Sequence, residues 1–113
     1  GDSYFPTEVY DAVALAYGHR QAGTVVWPSM QERLAYADLQ GLVSYPITND
    51  LESESGTPYT AAVIQSAGDG FSDPHNIFMQ VPEIRYQWGC FLASAIAGSP
   101  TIPAPATPGT ACP

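Results

Sequence analysis

Lysine is absent from these 113 residues and arginine occurs only three times, against eleven carboxylates, for a formal net charge of -8. A surface this acidic repels phosphate and anionic lipid, which argues against a basic nucleic-acid clamp and a polybasic membrane anchor. Long apolar runs are lacking too. The longest, "CFLASAIAG" at 90–98, is too short to cross a bilayer and ends two residues before Pro100. No Asn-x-Ser/Thr sequon occurs, so N-glycosylation is not expected. The opening "GDSYFPTEVY" has neither a basic n-region nor an apolar h-region, the expectation for a mature chain freed of any leader, with Gly1 consistent with a cloning remnant.

Cysteine is scarce as well. Cys90 and Cys112 are the only two, too few for the four ligands of a structural metal site. Their position around a Pro-rich tail points to a single bridge, with two free thiols of a cytosolic protein as the alternative. No cofactor or metal is expected. Few charges and abundant Tyr, Ser, Thr, Gly and Pro suit a secreted protein, and the length suits one domain with a modest core.

What is present begins with "TEVYDAVALAYGHR", Thr7 to Arg20, where Val9, Ala12, Val13, Ala16 and Tyr17 follow the spacing of one helical face. Thr7 can cap this helix, Glu8 and Asp11 lie at its positive end, His19 and Arg20 lie at its negative end, and Gly23 follows the stop. Then the period changes. "TVVW", "LVSYPI", "YTAAVIQS", "NIFMQV" and "IRYQWGCFL" are short β-branched or aromatic runs set between Gly, Pro, Asp, Asn and Ser. The expected fold class is therefore α+β, with an N-terminal helix packed on a four- to five-stranded antiparallel sheet. Residues 1–97 would form the domain. Residues 98–113, with five prolines, would form an extended arm. A Cys90–Cys112 bridge would strap that arm back, with about 3 kcal/mol of stabilisation in the chain-entropy model. Its alternative is a floppy tail.

Three pieces occur in order: Trp27-Pro28-Ser29, "SYPI" at 44–47, and "GTPYTAAVI" at 56–64. With the preceding helix and the late Cys90, this order resembles the small guanyl-specific microbial ribonucleases, over about residues 4–92. The resemblance implies a sheet from whose strands catalytic side chains project. The positions that would hold a histidine, the general-base glutamate, the phosphate-binding arginine and the general-acid histidine carry Ser29, Ser44, Ala62 and Gln80. Serine, alanine and glutamine do not titrate in the useful range, so base, acid and phosphate charge would all be missing. His75 is expected to be a loop residue and His19 a helix-end cation. Trp27, Tyr45, Phe78, Tyr86 and Trp88 could stack on bases, but with no basic residues among them they are better explained as core.

A secreted scaffold of this kind without catalytic residues resembles the ribonuclease-like effectors of plant-pathogenic fungi, notably powdery mildews. The N-terminal Tyr-x-Cys common there is Tyr4-Phe5-Pro6 here, and Cys112 would stand in for the missing cysteine. The resemblance implies a monomeric, non-enzymatic virulence or avirulence protein, secreted and translocated into the host cell. Its partners would be a host protein or a plant immune receptor, with no membrane binding and weak or no nucleic-acid binding. Recognition is expected on the loops "MQERLAYADLQG", "TNDLESESG" and "SAGDGFSDPHN", with Glu32, Arg33, Asp50, Asp73 and His75 as the exposed groups. Two other readings remain: a divergent active ribonuclease on single-stranded RNA that uses His75, and a secreted inhibitor of a hydrolase.

Overall fold

Helix α1 spans Thr7–Tyr17 and stops where Gly18 takes a left-handed φ of 68°, its N–H bonding back to the carbonyls of Ala14 and Leu15. A side chain is strained in that conformation, so Gly18 and not Gly23 is the stop. The face expected to be buried is the wrong one. Val13 is 48% and Tyr17 67% exposed, whereas Asp11 and Ala14 are buried, each 1% exposed. Small side chains on the buried stripe leave room for Met30 and Leu34, which with Ala14 make the apolar cluster that Leu39 and Val63 pack against. Apolar spacing located the helix, but the fit of small residues against large ones chose its inner face.

The computed structural model describes residues 4–71 and 73–113, and it divides into two compact units. The first, residues 1–43 with 62–77, contains α1, β1 (Gln21–Ala22), α2 (Ser29–Leu34), a 3-10 turn at Ala35–Ala37, β2 (Leu42–Val43) and β5 (Val63–Ile64). Its three strands stand in the order β2-β1-β5, and both pairings are parallel, with Gln21 opposite Leu42 and Val63. A parallel pair cannot be closed by a tight turn, and the segment with α2 supplies the crossover from β1 to β2. Buried amides brace this unit. Gln21, wholly buried, accepts from Gln31 Nε2 at 2.6 Å and donates to Thr24 O at 3.2 Å, while Gln31 Oε1 accepts the Gly41 N–H at 2.7 Å.

The second unit, residues 44–61 with 78–113, holds β3 (Leu51–Glu52), β4 (Pro58–Tyr59) and α4 (Pro82–Ile96). A short helix, α3 (Ile77–Gln80), spans the boundary between the two residue sets. Pro82 opens α4 within its first turn, where a missing N–H costs nothing, and Glu83 follows it there. Gln87 and Cys90 on this helix are buried. The Pro-rich segment runs back along the unit: Ile47 and Ile102 exchange two backbone hydrogen bonds of 2.9 Å, Gln87 Nε2 donates to Pro103 O at 2.6 Å, and Cys90 is bonded to Cys112. Burial pushes the Tyr45 phenol above its ordinary pKa, and the neighbouring Gln87 amide offsets that only in part. Among the described residues the Tyr45 hydroxyl makes no hydrogen bond of good geometry.

Mixed helix and sheet is thus correct at the level of fold class, but the antiparallel sheet of four or five strands is not what forms. The larger sheet is parallel and three-stranded, and the antiparallel pair is β3 with β4. "NIFMQV" and "IRYQWGCFL", expected as strands, lie largely in α3 and α4, and "TVVW" is irregular. "MQERLAYADLQG", expected as a loop, holds most of α2 and the following turn.

Candidate functional site

The acidic segment "TNDLESESGTP" is built as a hairpin. Leu51 pairs with Tyr59 and Glu52 with Pro58, and the connection is closed by Ser53 N to Thr57 O and Gly56 N to Ser53 O, both 2.9 Å. Hydroxyls tie the tip together: Thr57 N donates to Ser53 Oγ at 3.0 Å, and Ser53, Ser55 and Thr57 follow one another at 3.0 and 3.2 Å. Gly56, at φ 77°, makes the turn that a side chain would strain. The base is anchored as firmly. Thr60, buried, accepts the Asn49 N–H at 2.8 Å and donates to Pro100 O at 2.9 Å, and Thr48 Oγ1 reaches the same carbonyl at 3.1 Å. Glu52 and Glu54 stay exposed on this frame.

The other residues expected to be functional are distributed as follows. Glu32 and Arg33 are exposed on α2. Asp50 braces the hairpin, its Oδ1 accepting the Ala61 N–H at 3.1 Å. Asp73 accepts the His75 N–H at 3.0 Å and caps the 3-10 turn Pro74–Asn76. The exposed His75 ring stands 4.7 Å from that of Tyr4 and 6.0 Å from that of Phe5. Ser72, within the third expected loop, lies outside the described residues, as does Gly1. Of the four positions aligned with catalytic groups, Ser29 opens α2 and Gln80 ends α3, so both are helical rather than on strands. Ser44 directly follows β2 and Ala62 directly precedes β5. Cys90 and Cys112 are joined as expected.

A cavity of about 370 Å³ lies within the first unit, a feature that sequence reasoning missed. Tyr10 and Thr7 of α1, Trp27, Met30 of α2, Val63 and Ile64 of β5 and His75 contribute to its wall. Gln65, 5% exposed, fixes the wall by accepting the N–H groups of Val26 at 2.7 Å and Trp27 at 3.2 Å and donating to Trp27 O at 3.3 Å. The Trp27 Nε1 atom is buried and meets no acceptor among the described residues. Trp27 is half-buried in the cavity wall, and Phe78 and Trp88 are 42% and 38% exposed, so none of the three is fully buried core. Asp11 is buried on α1 with both oxygens unbonded, and no hydrogen bond among the described residues explains its burial.

Among the described residues no helix is long and apolar enough to cross a membrane. The chain matches no family model, no curated protein and no solved structure.

Proposed function

We propose that the chain is a secreted, non-catalytic binding protein of the ribonuclease-like effector kind that its sequence resembles, and that the hairpin from Leu51 to Tyr59 engages a basic surface on a host protein. The observation that carries this reading is the preorganisation of the hairpin. Its serine and threonine hydroxyls hold the tip and Thr60 with Asp50 holds the base, while Glu52 and Glu54 remain exposed. A loop ordered before binding loses less conformational entropy on association, and exposed carboxylates of one sign steer a cationic partner. The disulfide suits an oxidising compartment. The reading does not need the antiparallel sheet, because the binding surface belongs to the hairpin alone.

The test uses a host protein captured from leaf extract by the immobilised chain and then purified. It should bind the wild-type chain about tenfold more tightly than Glu52→Gln/Glu54→Gln, with the gap narrowing as salt rises, while both chains melt at the same temperature. Equal affinity would remove the hairpin from the interface. Labelled single-stranded RNA incubated with the chain over the range from about pH 4 to 8 should remain uncut above a buffer blank. Cleavage that vanishes in His75→Ala would make the protein an enzyme.

A further inference from the structure

Helix α1 has its polarity inverted. Of its two carboxylates, Asp11 is buried and Glu8 is exposed in the first turn, while Val9, Ala12, Val13, Ala16 and Tyr17 all stand on the exposed side. Five apolar residues at the spacing of one helical face, with no charge among them, make the surface of a helix that is packed on both sides. Val9, Val13 and Tyr17, at 41%, 48% and 67% exposed, form its central row.

This face is self-complementary. Val13 lies midway between Val9 and Tyr17, so two antiparallel copies of α1 related by a two-fold axis at Val13 set Val13 against Val13 and Val9 against Tyr17. Ala12 and Ala16 beside that row let the helix axes approach to about 8 Å. Charge fits the same arrangement. Glu8 precedes the row and His19 and Arg20 follow it, with the His19 ring held at that end by stacking on Tyr17 at 5.6 Å. Antiparallel pairing brings the carboxylate of each copy to the basic end of the other, whereas parallel pairing would set like charges together. A formal charge of -8 on each chain resists association through acidic surfaces, and α1 exposes a single carboxylate, Glu8.

We propose that a second copy of this chain covers the exposed face of α1, as a two-fold, antiparallel helix pair. A helix of 11 residues offers a small interface, so the dimer is weak and forms at high concentration. It departs from the monomer that the resemblance implies. The inference is independent of the hairpin, whose residues lie in the other unit.

Sedimentation velocity of the oxidised 113-residue chain, from about 10 µM to about 1 mM, tests the pairing, with a dissociation constant of about 100 µM expected. Val13→Lys puts two like charges on the axis at a half-exposed position. It should weaken the dimer at least about tenfold without lowering the melting temperature. Glu8→Lys should weaken it about fivefold, and Glu8→Lys/His19→Glu, which reverses the charge at both ends, should return it to within about threefold of the wild type. A folded wild-type chain that stays monomeric at about 1 mM would overturn the dimer and leave the face to a different protein. A dimer that survives Val13→Lys would place the contact elsewhere and overturn the proposal. Dimerisation of Glu8→Lys/His19→Glu no better than that of Glu8→Lys would overturn the antiparallel arrangement.

Discussion

The two units have different sources of order. In the first, the wholly buried Met30 and Leu34 close an apolar cluster with Ala14, and the amides of Gln21 and Gln65 hold the adjoining backbone. In the second, the buried apolar side chains among the described residues are Ile47, Ile102, Pro103 and Cys90, and a covalent bridge closes a strap that returns past α4 to the base of the hairpin. A short chain that divides its residues between two small interiors has little apolar burial to spare in either. The first unit supplements it with buried hydrogen bonds and the second with a crosslink, a common resort of small scaffolds.

The comparison can be broken most severely at Leu34. Leu34→Ala should cost about 2–5 kcal/mol, read in denaturant melts, because the side chain is wholly buried in the cluster that joins α1 to α2. A cost below about 1 kcal/mol would mean that the cluster does not hold the first unit. Removing the bridge with Cys90→Ala/Cys112→Ala should cost about 3 kcal/mol by loop-closure entropy, for a sequence separation of 22. That loss should fall on the second unit, leaving the protection of Gln21 and Ala22 amides nearly unchanged. Gln65→Ala should cost about 1–3 kcal/mol by stranding the N–H groups of Val26 and Trp27. The smallest effect is alkaline. The Tyr45 pKa is raised on folding, so its contribution is complete below the ordinary tyrosine pKa of about 10 and is lost as pH rises through the folded value. Tyr45→Phe should therefore flatten the fall in melting temperature above about pH 10, with little change at neutrality.

Local signals and distant ones were unequally legible. The existence of α1, the isolated cysteine pair and the acidic loop could all be recognised in the sequence. Helix α4 was also announced, by Pro82 and Glu83 at its start and by Gly98 and Pro100 beyond its end. The aromatic run between those signals resembled a strand and obscured them. The parallel order β2-β1-β5 was out of reach, because two-residue pairings leave almost no periodicity to read. The inner face of α1 was hidden for another reason: the Val9, Val13 and Tyr17 stripe imitates a core face, while the buried stripe includes a carboxylate, Asp11. Both candidate sites depend on long-range partners. Thr60 meets Pro100 across 40 positions, and Gln65 meets Trp27 across 38. No local pattern announces such pairs.

Rigidity of the hairpin before any partner arrives is the central claim, and amide hydrogen exchange on the free, oxidised chain tests it most directly. Ile47, Ser53, Gly56, Ala61 and Ile102, whose N–H groups are bonded in the strap and hairpin, should exchange much more slowly than in an unstructured peptide. Reduction of Cys90–Cys112 should speed exchange at Ile47 and Ile102 most. Exchange at the hairpin and strap amides as fast as in a free peptide, in the oxidised chain, would contradict preorganisation and remove the basis for assigning recognition to this element.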